Sequence, residues 1–387
     1  MTLIVLSDIS WTGLHQRPHH VALALARRWT VLWVEPMTFG HRIRWSPEQV
    51  EPNLFVVSLP EMPYNARQKL VRTVTRAVSS VGVVRALFAA IQRVLLRRAV
   101  RLLGMSGEPA GCIVYAFTLI DALKNFRLSF VQFDYIDNVF GFTSFPDHVK
   151  EQWIRTLRRV DFVTVSSHSL AKQIAPYRSS GVHYVGNGVE YQLFAATRDY
   201  DRPVDLPQGK PIVGYVGAIY PWLDYQLLQI VCSEMDKVNF VFIGPVHPGV
   251  SAGVNALKDL PNVYFLGVKP YHMVPAYLHH LDVGIIPFRK NELTAGVNPV
   301  KLYEYSASGK PSVVTDFSED VVQVKDRVYV AATVEEFGSC IRKAMDTSKD
   351  PLRIDSLLSF ARSHDWERKT TAIIELIEGR IVSAATG

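Results

Sequence analysis

Residues 298–314 read NPVKLYEYSASGKPSVV. The stretch 299–308 has the pattern of a helix, with Pro299 where a first-turn proline belongs and Asn298 placed to serve as N-cap. It feeds a short apolar strand at 311–315, and another strand candidate, 282–287 (DVGIIP), precedes it. Strand, helix and strand in that order make a parallel crossover unit. Working back from there, strand candidates lie at 212–216, 239–243 and 263–266, and each is followed directly by a glycine: Gly217, Gly244 and Gly267. Glycine past the carboxyl end of a parallel strand lets a ligand approach the backbone. The plainer alternative for each one singly is an ordinary turn glycine.

The first half of the chain has the same style. Strand candidates 2–7, 31–34, 54–58, 111–115, 129–133, 161–166 and 182–185 alternate with helical patterns at 17–28, 84–103, 146–158 and 168–177. The 387 residues suit two domains, and the fold class expected is α/β with two Rossmann-like domains. The expected division is 1–195, a polar linker over 196–210, a second domain over 211–360, and a tail helix over 361–387 returning to the first domain. The first loop, SDISWTGLHQRP, holds only Gly13 and no G-x-G-x-x-G, which disfavours a dinucleotide oxidoreductase.

Three widely spaced cysteines, Cys112, Cys232 and Cys340, indicate neither a disulfide framework nor a zinc site and fit a reducing compartment. The apolar run at 2–7 is too short for a signal peptide or a membrane span. The net charge of +6 is concentrated: between Glu61 and Glu108 there is no acidic residue and there are nine basic ones. Within this basic segment (67–103), residues 84–103 place Val84, Leu87, Phe88, Ile91, Leu95 and Leu102 on one helical face. Arg93, Arg97 and Arg101 line another, with Arg98 beside them. The pattern fits peripheral contact with an anionic membrane; an amphipathic helix packed on the domain core is the alternative. No nucleic-acid module accompanies the charge, and nucleic acid is not expected as a partner.

The chain resembles bacterial GT-B glycosyltransferases of the glycosyltransferase 4 type. The residues that carry the resemblance are Gly217-Ala218-Ile219 with Asp224, PNVYFLG (261–267), DVGIIPF (282–288), NPVKLYEYSASGKPSVV (298–314), HQRPHHVALALA (15–26), VGNGVEYQLF (185–194) and SHDWERKT (363–370). The resemblance implies two domains facing across a cleft, with a donor nucleotide against the carboxyl edge of the second sheet. The residues it places around the donor are Gly217, Ala218, Ile219, Tyr220, Gly244, Pro287, Asn298, Lys301, Leu302 and Glu304. A helix N-terminus favours phosphate, and Lys301 adds a full charge there to stabilise a departing nucleotide. Glu304, three residues on and on the same face, has the role of accepting ribose hydroxyls. The alternative for this pair is a surface ion pair.

Two departures bear on mechanism. The first glutamate of the E-x7-E pattern of many retaining members is absent, Gly296 standing in its place. The Arg and Lys that often follow the first strand of the donor domain are missing from GAIYPWLDYQ (217–226). Inversion and retention therefore both stay open. The first-half motif FDYIDN (133–138) resembles that of the glucuronosyltransferase of xanthan synthesis, and an inverting enzyme needs a base there. Asp137 is the candidate catalytic base, with Lys301 the second catalytic residue. Asp134, Gly13, His15 and Arg17 are expected to bind acceptor; a structural turn is the alternative for the two aspartates. Glu190 is a weaker candidate for a sugar or hinge contact. His15, His19 and His20 lack a carboxylate partner in sequence, and Asp199-Tyr200-Asp201 falls in the expected linker, so no metal and no cofactor are expected.

The function expected is transfer of a hexose or hexuronic acid from a nucleotide sugar, UDP rather than GDP, to a glycan or lipid-linked acceptor in bacterial polysaccharide biosynthesis. The expected location is cytoplasmic, at the inner face of the membrane. The rivals are a sugar-nucleotide 2-epimerase of the same architecture and a non-catalytic sugar-nucleotide-binding module.

Overall fold

The computed structural model describes residues 1–13, 15–37, 42–64, 69–104, 109–142, 145–195 and 199–386. The chain forms two compact units, Met1–Val185 with Thr370–Gly387, and Gly186–Lys369.

The first unit is built on an eight-stranded sheet of order β3-β4-β2-β1-β5-β6-β7-β8. Its strands are β1 Thr2–Leu6, β2 Thr30–Pro36, β3 Glu48–Glu51, β4 Leu54–Leu59, β5 Gly111–Val114, β6 Phe130–Tyr135, β7 Phe162–Val165 and β8 Val182–Tyr184. All pairings are parallel except β3 with β4. The central strands β1 and β5 are almost wholly apolar because both faces of the sheet are covered. Side chains alternate between the faces: Ile4, Leu6, Phe133 and Tyr135 join one core, and Leu3, Val5, Trp33 and Phe130 join the other. Edge strand β3 (EQVE) escapes a pattern search because it is polar and only half covered. The helices that matter below are α1 Arg17–Ala26, α2 Lys69–Ser80 and α3 Gly82–Leu102.

The second unit holds a six-stranded, all-parallel sheet of order β11-β10-β9-β12-β13-β14. The strands are β9 Ile212–Val216, β10 Asn239–Ile243, β11 Val263–Gly267, β12 Val283–Ile286, β13 Ser312–Thr315 and β14 Tyr329–Ala331. The quoted stretch becomes α4 Val300–Ala307 followed by β13. The last helix, α5 Trp366–Thr386, starts in the second unit, and from Thr370 onward it belongs to the first. There Ile373, Ile374 and Ile377 are buried in the core beneath α1.

The division differs from the sequence expectation: residues 186–195 and 361–369 belong to the second unit, and the tail returns to the first only from Thr370. Of the expected linker 196–210, residues 199–210 belong to the second unit, and 196–198 lie outside the described residues. Tyr191, Phe194, Ala195 and Leu206 sit in the second core, and Tyr200 is fixed through its hydroxyl to Leu193 O (2.7 Å) and through its carbonyl to His280 (3.0 Å). Polarity and two prolines look like a linker, but the scattered apolar residues anchor the segment. The chain instead passes between units at 185/186 and 369/370. On the second-unit side these two passages are bonded to each other: Val189 N–H donates to His364 O (3.0 Å) and Trp366 N–H to Val189 O (3.0 Å).

Arg17 and Asp134 are corrected from acceptor contacts to framework. Their side chains are 2% and 0% exposed. Arg17 Nε and Nη2 donate to the two Asp134 carboxylate oxygens at 2.9 Å each, and Nη1 donates to Val185 O at 2.6 Å. Thr164 Oγ1 donates to Asp134 at 2.7 Å. Alternation along β6 turns Asp134 inward onto the α1 face, so the charge that the sequence offers to a ligand is spent on the core.

The basic segment needs a correction too. Arg97 donates to Asn125 O (2.9 Å) and lies over the Phe126 ring, and Arg93 is half-buried, whereas Arg98 and Arg101 are exposed. Val84, Phe88 and Leu95 are half-buried and so do not form one face with exposed Leu87, Ile91 and Leu102.

Removing one member of a buried, hydrogen-bonded ion pair strands the other charge. Asp134→Ala is therefore expected to destabilise the protein by about 3–5 kcal/mol, read as a lowered urea midpoint.

Candidate active site

In the second unit, two strand ends and one helix start converge. Gly217 follows β9 with φ +144°, and Gly244 follows β10 with φ +143°. A β-carbon on Gly244 would stand 2.0 Å from Gly217 O. A β-carbon on Gly217 would stand 2.0 Å from Lys301 Cε and 2.6 Å from its Nζ. The two glycines thus let their backbones touch, and Lys301 lies directly on the α-carbon of Gly217, with Nζ 5.6 Å from the Tyr215 ring centre. Lys301 comes from the first turn of α4, whose leading N–H groups lack intrahelical acceptors.

Burial holds Lys301 below the ordinary lysine range, with Glu304 opposing. Burial pushes Glu304 up to about 7, Lys301 pulling it down and Glu190 raising it further. Among the described residues no ion pair joins Lys301 to Glu304, so the surface-pair alternative does not describe them. Glu190, also raised by burial, bonds Tyr271, and Tyr271 is raised by burial, then by Glu304 and Glu190. This Glu190–Tyr271–Glu304 group extends the site beyond the sequence reading, which left Tyr271 out. No motif marks Tyr271; only the fold brings it to Glu304.

The other donor candidates divide. Tyr220 is half-buried and stacks near Trp222 (4.8 Å) and His247 (5.0 Å). Ala218 O accepts from Tyr215 (2.9 Å). Ile219 and Leu302 are buried in the core at 1% and 2% exposure, so their side chains are closed to a ligand. Pro287 is buried, its carbonyl accepting from Asp224 N–H (2.8 Å). Asn298 is not the N-cap; Pro299 holds that place. The Asn298 side chain instead accepts from Tyr303 OH (3.0 Å) and Asn187 N–H (3.2 Å) and donates to Asp320 (3.4 Å). It braces the start of α4 and offers its amide to no ligand.

In the first unit, Asp137 follows β6 and is half-buried. Burial pushes its carboxyl up to about 7, Asp8 reinforcing and Arg17 opposing. Glu61, just past β4, is likewise raised to about 7 by burial, with Thr118 donating to it and Asp8 near. Asp8 and Glu61 escape sequence reading because their strands are far apart in the chain. Glu35 accepts from Trp11 N–H (2.8 Å), Ser10 (3.1 Å) and Arg44 (2.9 Å), which fixes the loop carrying exposed Gly13. His15 is half-buried against His19 (4.9 Å) and His20 (4.5 Å). Burial, with His15 nearby, lowers His19 to about 4 and His20 to about 2. All three rings are lowered, as is His15 by burial, and so offer neutral imidazoles rather than cations.

Residues 210–347 match the family described as glycosyl transferases group 1. TuaH of Bacillus subtilis (strain 168), named as a teichuronic acid biosynthesis glycosyltransferase, is 29% identical over 225 residues, 56% of this chain and 57% of the relative. A GDP-mannose-dependent alpha-mannosyltransferase of Mycolicibacterium smegmatis is 28% identical over 170 residues, 42% of each chain. The chain thus matches about half the length of these relatives. Sucrose-phosphate synthase from Thermosynechococcus elongatus superposes with a TM-score of 0.72 at 14% identity, covering 99% of both chains. The fold is GT-B, and residues 210–347 of the second unit are similar to the group 1 glycosyltransferases.

Two outcomes test the geometry. Gly217→Ala, strained at φ +144° and filling the place of Lys301, is expected to cost more than about 1 kcal/mol of stability, read as a lowered urea midpoint. Asp137 carries a folded-state pKa above its ordinary value. Its contribution to stability is therefore full below about pH 4 and is lost as pH rises through about 7. Asp137→Asn should melt higher than the parent protein at pH 8, with the gap closing by pH 5.

Proposed function

We propose that this protein transfers a hexose or hexuronic acid from a nucleotide sugar, UDP-linked rather than GDP-linked, to a hydroxyl of a glycan or lipid-linked acceptor in bacterial polysaccharide biosynthesis. It needs no metal or cofactor, and it meets its acceptor at the cytoplasmic face of a membrane. The observation that carries this reading is Lys301, half-buried, drawn over Gly217 and set at a helix start. A diphosphate placed there gains the lysine charge, the first-turn N–H groups and a backbone approach cleared by two glycines. Glu304, one turn further along α4, is suited to accept ribose hydroxyls. The name of TuaH supports a polysaccharide role; that of the mannosyltransferase points to GDP and makes the base a matter for experiment.

In the step proposed, the acceptor oxygen attacks the anomeric carbon, the bond from that carbon to the diphosphate breaks, and Lys301 stabilises the charge on the leaving nucleotide. Asp137 takes the hydroxyl proton in an inverting reaction. A carboxyl with a pKa near 7 is matched to that task, being both partly ionised and basic enough at neutral pH.

The test is thermal shift with UDP-, GDP- and dTDP-sugars, with and without EDTA, followed by nucleotide release in the presence of an acceptor glycan. One sugar nucleotide should raise the melting temperature, unaffected by EDTA, and Lys301→Ala should lose the shift and about a hundredfold in turnover. Conversion of a sugar nucleotide without acceptor identifies an epimerase instead, and no shift with any of them overturns the reading.

A further inference from the structure

Helices α2 and α3 carry the main unexplained surface of the first unit. Val83, Leu87, Ile91 and Val94 recur at helical spacing on one stripe of α3, and the most open of them, Val83, is 78% exposed. On α2, Leu70, Val74 and Val78 repeat every fourth residue and are exposed as well, Leu70 at 77%. Exposed Val81 joins the two helices, so apolar surface follows the chain from one onto the other. Soluble monomers rarely leave so many neighbouring large apolar side chains in water.

The other side of α3 is fixed to the unit. Leu96, Ala99 and Val100 enter the core, and Gln92 donates to Pro60 O at 2.7 Å. The two helices meet at a bend of 98°. Arg85 holds that bend by donating to the last carbonyls of α2, Ser79 O (2.6 Å) and Ser80 O (2.8 Å). No single helix among the described residues is long and apolar enough to cross a membrane. A bent pair with one face buried in protein suits the surface of a bilayer rather than its span.

Charge selects the occupant. Arg98 and Arg101 continue the α3 stripe at the same helical angle and are exposed, and the sequence has no acidic residue between Glu61 and Glu108. A second copy pairing this face with itself would set arginine against arginine. Anionic phosphates beside an apolar layer satisfy both halves of the surface.

We propose that α2 and α3 dock this protein on an anionic phospholipid surface, with Leu70, Val74, Val83, Leu87 and Val94 entering the interface and Arg98 and Arg101 binding lipid phosphates. This deepens the proposal of a membrane-presented acceptor. The assay contains no sugar nucleotide, so its failure leaves glycosyl transfer untouched.

The experiment is flotation of the full chain with vesicles of phosphatidylcholine alone or with roughly a third phosphatidylglycerol. The protein should float with the anionic vesicles and poorly with the neutral ones. Leu87→Ser with Val94→Ser should cut the bound fraction about tenfold, and Arg98→Gln with Arg101→Gln should abolish the preference for phosphatidylglycerol. Both changes lie on exposed positions, and an unchanged melting temperature shows that the variants fold. Equal flotation with both lipids, flotation unaffected by the variants, or no flotation even at low salt overturns the proposal. So does a dimer that Leu87→Ser splits while vesicle binding stays the same.

Discussion

The buried pairing of Arg17 with Asp134 sets the geometry of the first unit. It binds the opening turn of α1 to β6 and, through Val185 O, to the end of the sheet strand order at β8. Few arrangements satisfy a guanidinium and a carboxylate away from water, because each remaining donor and acceptor must find a partner of its own. Here Thr164 and the Val185 carbonyl complete the set. Asp137 lies three residues beyond Asp134, so the framework pair fixes the turn that carries the candidate base. The same pair also tempers it: the Arg17 charge opposes the rise in the Asp137 pKa that burial and Asp8 produce.

In the second unit the corresponding constraint is steric. Gly217 and Gly244 adopt backbone angles that side chains disfavour, and neither has room for a β-carbon. What that emptiness admits is the Lys301 side chain. A half-buried lysine beside Tyr215 is suited to an anion, since an opposite charge brought up to it offsets the cost of partly burying its own. Burial, opposed by Lys301 and reinforced by Glu190, lifts Glu304 to about 7, so Glu304 loses its negative charge as protons arrive near neutral pH.

The sequence announced the sheets well, because a strand covered on both faces must be apolar along its length. It also showed α4 and the glycines at the strand ends, where backbone conformation restricts residue choice. It did not reveal which way a polar residue turns. Asp134 and Asp137 differ by three positions in FDYIDN, yet the pleat sends the first into the core, and the second follows the strand's end. Asn298 looked like a cap and is a brace, since Tyr303, Asn187 and Asp320 reach it from distant positions. Within their own units, Tyr271 meets Glu304, and Asp8 meets Asp137 and Glu61, only through the parallel crossovers, and nothing local in their surroundings marks them. Residues 199–210 misled for the opposite reason: their composition is that of a linker, but Tyr200 and Leu206 suffice to pin them to the second unit.

The last helix has a consequence for how the chain is made. Ile373, Ile374 and Ile377 complete a core whose other buried members come from residues up to Val185, while Gly186–Lys369 forms the second unit. A ribosome therefore releases the continuous unit in one piece, while the earlier-synthesised one waits with part of its apolar face uncovered. Vectorial synthesis, which ordinarily favours whatever emerges first, here leaves the amino-terminal unit to finish last.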